Sequence, residues 1–246
     1  DEVHALAPSH PDWYTRQPFM AVLQGDHEAV ARSGVHGMME ILLATNTGMP
    51  VGQYTQRVDQ WLDTARHPRT KLPYDSMTYV PMRELLDYLR ANGFTTYIVS
   101  GGETEFMRAW TAQAYGIPPE QVIGTLFGSE FVTSGSGFEL MRLPKLDFNN
   151  DGPGKPVAIQ RHIGKRPIMA FGNSDGDLQM LQWTTTGPGR RFGGIVHHTD
   201  AKREWAYDRH SSVGRLDKAL DEAPARGWTV VDMEKEWKRI YAQPWP

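Results

Sequence analysis

The chain has 246 residues and a formal net charge of −3, from 26 basic and 29 acidic side chains. This near balance gives no basic face of the kind that binds nucleic acid, and no apolar run is long enough to span a membrane. The sequence contains no cysteine, which excludes disulfides, thiolate nucleophiles and cysteine-based zinc sites. A chain of this length predicts one α/β domain with an added subdomain and a small-molecule partner.

The N-terminal part of the chain shows helical patterns and no convincing strand. Pro18 suits the start of a helix that Gly25 ends, and residues 51–65 place apolar side chains three or four apart on one face. We therefore predict a helical subdomain over residues 1–75. The segment 65–74 carries two prolines and four basic or histidine side chains. A solvated linker is the plainer interpretation, and a cationic rim facing an anionic substrate is the alternative.

From residue 80 onward the pattern alternates between helix and strand. A helix begins at Pro81 and ends before Gly93, and residues 94–99 form a strand rich in β-formers. The strand ends at the Ser-Gly-Gly turn of residues 100–102, and residues 103–115 return to a helical pattern. This succession is half of a doubly wound unit.

The second half of the chain continues this alternation. Residues 122–127 predict a strand, and the turn TSGSG predicts a hairpin inserted around residues 129–143. Later strands are predicted at residues 168–171, 193–197 and 228–231, with helices at residues 202–207 and 213–225. The alternation predicts an α/β core over residues 76–246, built on a parallel sheet with helices on both faces.

The first candidate site follows the strand at residues 168–171. Gly172 and a polar cluster that includes Asn173 and Asp177 lead directly into the apolar spacing of a helix. Carboxyl ends of parallel strands face the ligand crevice, so amide and carboxylate oxygens placed there can hold a hard cation such as Mg²⁺. The alternative is that these side chains only cap the helix.

Two other turns carry polar groups that would converge on the same edge of the sheet. Ser100 follows a strand, and the amides of Gly101 and Gly102 lie open to an anion at a helix N-terminus. Lys155 adds a positive charge at the start of another helix. A hydroxyl, a lysine and magnesium ligands together predict phosphoryl chemistry, which mainly requires neutralised and positioned phosphoryl oxygens. Taken singly, each feature is more often a simple turn or a solvated lysine.

The order of these motifs resembles the haloacid dehalogenase superfamily of phosphohydrolases. The chain has YIVSGG around Ser100, GPGKP around Lys155 and FGNSDGD with Asn173 and Asp177, in the order of that family. The helical region before them is similar to the cap of the phosphoserine phosphatase-like branch, and IVHHTDAKREWAYD is similar to bacterial acid phosphatases of that branch. The resemblance implies a Rossmannoid parallel sheet with a small helical cap.

The same resemblance implies Mg²⁺-dependent hydrolysis of small phosphomonoesters through a phosphoaspartyl intermediate. In that scheme the Ser100 turn holds the phosphate, and Lys155 neutralises the nucleophile and the phosphate. Asn173 and Asp177 hold the magnesium directly or through water. The resemblance leaves the compartment open between bacterial periplasm and cytoplasm, with the periplasm favoured.

The nucleophile motif of the family, D-x-D-x-[TV] at the end of the first strand, is absent from the sequence. The one Asp-x-Asp present, Asp175-Gly176-Asp177, lies in the last motif and has Gln179 where Thr or Val is required. One explanation is an upstream segment, because the chain begins at Asp1 without a Met and within a helical pattern. The others are a pseudoenzyme that binds phosphate or a protein, and a second chain that supplies the strand.

The missing strand has two physical consequences. It would lie in the middle of the sheet, so its absence leaves two strand edges unpaired and apolar surface exposed, and something should fill the gap. Asn173 and Asp177 alone are also too few ligands for an ion that prefers six oxygens. We therefore expect weak or no Mg²⁺ binding and little activity from this chain alone.

Two adjacent histidines are a further candidate for metal binding. His197 and His198 stand at the end of a predicted strand, where neighbouring side chains point to opposite faces and cannot easily share one metal. A structural role is the plainer interpretation of both.

Overall fold

The computed structural model describes residues 2–135 and 137–243, so that Asp1, Ser136 and residues 244–246 lie outside the described part. The chain divides into two compact units. One contains the residues up to Gln56 together with Phe127–Asp147, and the other contains Arg57–Leu126 with the residues from Phe148 onward.

The first unit is built from short helices and a hairpin. The helices are α1 (Glu2–Leu6), α2 (Phe19–Gln24), α3 (His27–Arg32), α4 (Gly34–Thr45) and α5 (Val51–Thr64), the last of which continues into the second unit. The predicted helix after Pro18 is confirmed and ends at Gly25, whose φ of 69° is left-handed. Trp13 and Phe19 stack with ring centroids 4.3 Å apart and are both buried. They anchor the core of this unit.

The helices of the second unit alternate with its strands. They are α6 (Val80–Ala91), α7 (Thr104–Arg108), α8 (Thr111–Tyr115), α9 (Gly154–Ile163), α10 (Leu178–Thr185), α11 (Lys218–Arg226) and α12 (Met233–Glu236). No helix in the described ranges is long and apolar enough to cross a membrane.

Six strands are present in the described residues: β1 (Ile98–Glu103), β2 (Val122–Ser134), β3 (Gly137–Phe148), β4 (Met169–Gly172), β5 (Phe192–His197) and β6 (Thr229–Asp232). They form two three-stranded sheets in the orders β1-β2-β3 and β4-β5-β6. β1 runs parallel to β2, and β5 runs parallel to both β4 and β6. The predicted α/β class with parallel pairing and flanking helices is confirmed, although the described strands form two sheets where the sequence predicts one. The predicted hairpin corresponds to β2 and β3, although Ser136 of its turn lies outside the described part.

The largest core cluster packs α9, α10 and α11 against the second sheet. Ile159, Leu181 and Ile195 are fully buried there together with Leu216 and Ala219. This packing fixes the first turns of α9 and α10, where two of the sequence-predicted site residues lie, relative to β4 and β5.

The edges of β1 and β4 border a largely apolar cavity, which we call the interstrand slot. Each of these strands is the last of its three-stranded sheet among the described residues. The slot has a volume of about 630 Å³ and lies between the apolar face of α6, including Leu86, and Ile159 and Ile163 of α9. Val99 of β1 and Ala170 of β4 line its two edges. The slot therefore has the surroundings of a buried strand, with a strand edge on either side and apolar helix faces on the other two.

Three predicted elements of the second unit have different limits in the structure. The strand expected at residues 94–99 starts only at Ile98 and runs through the Ser-Gly-Gly turn to Glu103. The helix expected at residues 103–115 is divided into α7 and α8. The helix expected at residues 213–225 begins only at Lys218.

The helix expected at residues 202–207 is absent from the structure. Its backbone amides bind side chains instead: Lys202 and Arg203 donate to the carboxylate of Asp200, and Trp205 donates to that of Glu204. The bonds to Asp200 cap a single turn, in which the Glu204 amide donates to the Asp200 carbonyl at 3.0 Å. This turn does not continue, because the Trp205 amide donates to the Glu204 side chain in place of a helical carbonyl.

The observed division of the chain is not the one that the sequence predicts. The structure groups the hairpin with the helices up to Gln56 and assigns residues 57–75 to the second unit. The helix α5 spans this division, so composition alone gives no signal there. The role of the first unit as a cap stays a prediction.

Candidate functional site

The four polar residues singled out by the sequence lie on three neighbouring elements of the second unit. Ser100 lies in β1, and Lys155 is the second residue of α9. Asn173 follows β4 directly, and Asp177 ends the short 3-10 turn that leads into α10. Hydrogen bonds connect these elements, as described next.

Lys155 bridges the two edge strands at one end of the interstrand slot. Its Nζ donates to the carbonyl oxygen of Val99 at 2.8 Å and to Oδ1 of Asp177 at 2.6 Å. Lys155 and Asp177 are each only 5% exposed. Val99 is the last residue of β1 that lines the slot, and Asp177 follows β4. The lysine therefore marks the end of the slot toward which both strands run. It places a fixed positive charge there.

The second oxygen of Asp177 holds the turn after β4. Oδ2 accepts hydrogen bonds from the backbone amides of Asn173 at 2.9 Å and Ser174 at 3.2 Å. Gly172 is required for this close approach, because a Cβ at that position would overlap the Asp177 side chain. The carboxylate therefore accepts from Lys155 on one side and from the turn on the other, and it fixes their relative positions.

The described residues do not by themselves form a complete magnesium site. Asn173 offers a side-chain oxygen that accepts no hydrogen bond from the described chain, and this oxygen suits Mg²⁺ as one ligand. Both oxygens of Asp177 already accept hydrogen bonds. Across residues 2–135 and 137–243, no three His, Asp or Glu side chains are grouped so that they could hold a metal. Since Mg²⁺ demands near-octahedral oxygen coordination, most of its ligands would have to come from elsewhere.

The predicted phosphate turn makes hydrogen bonds within the protein. The amide of Gly102 donates to Oγ of Ser100 at 3.0 Å, and the Gly101 carbonyl accepts from the Thr125 hydroxyl at 2.7 Å. The carboxylate of Glu103 caps α7 by accepting from the amides of Glu105 and Phe106. The N-terminus of α7 is thus capped by a carboxylate, and an anion at this turn would have to replace the bond between Gly102 and Ser100.

The fully buried Asn150 ties the loop before Lys155 to β1 and β2. Its side-chain amide donates to the Ser100 carbonyl at 2.8 Å and to the Ile123 carbonyl at 3.1 Å. Its backbone amide donates to the Thr125 hydroxyl at 3.2 Å. A local sequence pattern does not reveal this role, because Asn150 reads only as one of several loop-forming residues before α9.

A second carboxylate that the sequence did not single out lies next to the Ser100 turn. A Cβ on Gly101 would lie 3.5 Å from Oδ1 of Asp151, and one on Gly176 would overlap the same carboxylate. Asp151 therefore stands between the turn in β1 and the turn after β4. Its negative charge opposes a phosphate at Gly101 unless a positive charge such as Lys155 offsets it. The sequence signal for this site residue is the acidic side chain of Asp151 within the loop NNDGPGKP.

The basic segment at residues 65–74 is ordered around His67. Nδ1 of His67 accepts from the backbone amides of Arg69 and Thr70, both at 3.2 Å. The ring packs edge-on against Trp205, with centroids 5.0 Å apart, and the Arg69 guanidinium lies over the same indole. The segment thus has a definite structure, and its predicted role as a cationic rim stays a prediction.

His198 is buried and paired inside the second unit, as a structural histidine would be. Its Nδ1 lies 3.0 Å from Oε2 of Glu204, and both residues are less than 5% exposed. His197 is half-buried and lies 3.4 Å from an oxygen of Asp208. The two histidines thus have different acidic partners and do not share one site.

The carboxyl of Glu204 should make folding stability depend on pH. Burial by itself raises the pKa of Glu204, but hydrogen bonds from His198 and the Trp205 amide outweigh burial and hold the pKa below its usual value of 4.5. A lowered pKa stabilises the folded state above the unfolded pKa, and this contribution is lost as pH falls through the folded pKa. We expect the difference in unfolding free energy between wild type and Glu204→Gln, from urea titrations, to shrink below about pH 4.5.

The control for this prediction is Glu28→Gln, because the side chain of Glu28 is 89% exposed. This variant should differ little from wild type at every pH. If the difference in unfolding free energy between wild type and Glu204→Gln stays constant between about pH 7 and 3, hydrogen bonding does not lower the pKa of Glu204, and the prediction is wrong.

Comparisons with known proteins identify one family match and several similar solved structures. A family model described as haloacid dehalogenase-like hydrolase matches residues 3–182. A conserved functionally unknown protein from Anaerococcus prevotii DSM 20548 has a similar structure, with 19% identity and a TM-score of 0.55 over 76% of this chain. The chain spans about half the length of that protein, 51%. No curated protein matches the chain.

A second solved structure is more distant. It is a phosphoserine phosphohydrolase-like protein from Francisella tularensis subsp. tularensis SCHU S4, with 13% identity and a TM-score of 0.42, covering 84% of this chain and 89% of that protein. The family match over residues 3–182 includes more than half of the chain and all three polar motifs. It confirms the superfamily that the motifs around Ser100, Lys155 and Asn173 resemble. The chain belongs to the haloacid dehalogenase-like hydrolase family.

Proposed function

We propose that this protein is a Mg²⁺-dependent phosphomonoester hydrolase of the phosphoserine phosphatase-like and bacterial acid phosphatase branch. The nucleophile, an aspartate that forms a phosphoaspartyl intermediate, would stand on a strand that enters the interstrand slot. The observation that carries this proposal is the buried Lys155, which bridges Val99 and Asp177 at the end of the slot. A small phosphorylated compound is the proposed substrate.

Lys155 suits the chemistry because of where its charge lies. A strand placed between β1 and β4 and parallel to both would bring its carboxyl end beside Nζ of Lys155. A carboxylate at that end would be attracted to the ammonium group, and a phosphoryl group transferred to it would have its developing charge neutralised by the same group. The bond to Asp177 holds the ammonium group of Lys155 in place, so the charge is positioned before any ligand binds.

The other proposed roles are for binding and orientation. Ser100 would donate its hydroxyl proton to a phosphate oxygen, and the Gly101 and Gly102 amides would help to hold the phosphate. Asn173 would contribute one oxygen to Mg²⁺, and Asp177 would act through water. When bound, the ion would neutralise phosphoryl oxygens, and its remaining protein ligands would come from the strand in the slot. This chain alone is therefore proposed to bind Mg²⁺ weakly and to be inactive.

The proposal is tested by assaying 4-nitrophenyl phosphate hydrolysis with Mg²⁺, for the chain alone and for the chain with an N-terminal extension. The extension supplies an apolar strand that ends in Asp-x-Asp. We expect turnover only with the extension, and Lys155→Ala should lower it at least about 100-fold, because a positioned charge is lost from the transition state. Lys218→Ala, which removes an exposed lysine, should leave turnover near wild type.

The rival function is a non-catalytic phosphate-binding or protein-interaction module. It is favoured by the existing bonds of Asp177 and of the Gly102 amide, which leave few groups free for catalysis. Full activity without the extension would contradict the proposed source of the nucleophile. Inactivity of both forms, combined with phosphate binding that Lys155→Ala abolishes, would favour the binding module.

A further inference from the structure

The segment that follows β5 buries polar side chains that the proposed chemistry does not use. His198, Asp200 and Glu204 are 3%, 2% and 4% exposed, respectively. Burying charged groups is costly unless each finds partners, so their arrangement needs a structural reason. The hydrogen bonds of Glu204 and His198 lead from this segment to Asn173, which lies beside the end of the slot.

Glu204 is the centre of this buried network. Its carboxylate accepts from the Tyr79 hydroxyl at 2.8 Å and from the Trp205 amide at 2.7 Å. With the carboxylate ionised, Nδ1 of His198 at 3.0 Å donates the third hydrogen bond. Three donors fix the carboxylate, and the carboxylate in turn fixes the plane of the His198 ring.

Three contacts position Tyr207. It stacks on His198 with centroids 4.3 Å apart and an interplanar angle of 23°. The backbone amide of Tyr207 donates to the carbonyl of His198 at 3.0 Å. Gly214 makes the third contact and packs against the ring, since a Cβ there would lie only 2.9 Å from Cε2 of Tyr207. The hydroxyl at the end of this ring therefore has a fixed position.

That hydroxyl accepts a hydrogen bond from Nδ2 of Asn173 at 3.2 Å. The backbone amide of Asn173 is held separately by Asp177 at 2.9 Å, so the remaining freedom of the residue is rotation of its side chain. An amide side chain has a donor end and an acceptor end. Tyr207 takes up the donor end, and the oxygen is left as the end available to a ligand.

We propose that Tyr207 is a positioning residue that selects the orientation of the Asn173 amide and so presents its oxygen to the site. Glu204 and His198 act through Tyr207 by holding its ring. The consequence for hydrolysis rests on the proposed function, whereas the orientation of the amide does not. Nothing in this arrangement requires Tyr207 to touch a substrate or to change its protonation.

The test follows the side-chain amide of Asn173 by ¹⁵N NMR in the full chain, with its signal assigned by its loss in Asn173→Asp. We expect Tyr207→Phe, which keeps the stacked ring and removes the hydroxyl, to speed exchange of these amide protons with water about fivefold, the factor for one ordinary hydrogen bond. Glu204→Gln should speed it by a smaller factor. Tyr115→Phe removes another mostly buried hydroxyl of the same unit and should change nothing at Asn173.

Unchanged exchange in Tyr207→Phe, or an equal increase in Tyr115→Phe, would overturn the proposal. If Tyr207→Phe does not fold, the test rests on Glu204→Gln. Amide exchange at Asn173 that is as slow in Glu204→Gln as in wild type then contradicts the role of Tyr207. Failure of the phosphatase assay would contradict the proposed function and leave this NMR result standing. In an active extended protein, Tyr207→Phe should lower kcat several-fold while KM changes less than about twofold.

Discussion

A peptide that forms one strand in the interstrand slot should raise the melting temperature of the chain by about 5–10 °C. The expected size follows from mass action: at a peptide concentration about 100 times its Kd, binding to the folded state stabilises it by about 2.7 kcal/mol. A stabilisation of 1 kcal/mol shifts the melting temperature by roughly 2–4 °C for a chain of this size. Differential scanning fluorimetry over a peptide titration measures the shift.

The physical reason for tight binding is that the slot offers two strand edges and two apolar walls. β1 and β4 both present backbone donors and acceptors to the slot, and an inserted strand would pair with both. Leu85 and Leu89 of α6 face one side of such a strand, and Ile159 and Ile163 of α9 face the other. The peptide should therefore be apolar on both faces, as buried parallel strands are, and about six residues long.

Two matched peptides control this prediction. A proline in the middle of the strand removes a backbone donor and should abolish most of the shift. The peptide carries an aspartate directly after its apolar strand, and lysine in place of this aspartate should weaken binding, because its charge would lie beside Lys155. Equal stabilisation by all three peptides would indicate nonspecific apolar binding and contradict strand insertion. No stabilisation by any of them would contradict the slot as a strand site.

The sequence predicted the α/β class and the order of the polar motifs because both depend on local patterns. Alternating helix and strand periodicities indicate parallel sheets wherever they occur, and glycine-rich turns after strands are visible without tertiary information. The limits of single elements were less accurate. Ser100 was placed after a strand, whereas β1 continues through Glu103 because Glu103 pairs with Thr125 of β2. Pairing between distant segments decided that boundary.

The site residues that the sequence missed act through contacts with distant parts of the chain. Asn150 donates to carbonyls 50 and 27 residues earlier, and Asn173 donates to Tyr207, 34 residues later. Residue spacing gives no information on such pairs. Lys155 and Asp177 were predicted from their places at turns, but the direct bond between them became visible only in the structure.

The pair of Lys155 and Asp177 also bears on which function is correct. A lysine reserved for a ligand would be expected to lie partly exposed, whereas this one is buried and already bonded to a carboxylate and to a strand carbonyl. The bond to Val99 takes up an acceptor on the edge of β1. A strand that enters the slot would therefore meet Lys155 as a fixed neighbour, and its terminal carboxylate would compete with Asp177 for the ammonium protons.

Lys155→Met should lower the free energy of unfolding by about 3–5 kcal/mol, because it leaves the buried carboxylate of Asp177 without its charged partner. The double variant Lys155→Met with Asp177→Asn should lose less than the sum of the two single changes. The neutral amide oxygen can still accept from the Asn173 and Ser174 amides, and no unpaired charge remains buried. Urea denaturation of the four proteins gives the coupling energy, which we expect to reach at least about 2 kcal/mol.

The same substitution at an exposed ion pair provides the control. Lys145 lies 3.1 Å from Asp147, with side chains 60% and 46% exposed, so Lys145→Met should change the unfolding free energy by less than about 1 kcal/mol. An equal loss at Lys145 and Lys155 would mean that removal of any lysine destabilises this protein to that degree. Additive effects at Lys155 and Asp177 would show that the two charges do not stabilise each other. Coupling at the expected size would instead establish that the cation at the end of the slot is preassembled, so a nucleophile strand would meet a charge whose position the fold has already fixed.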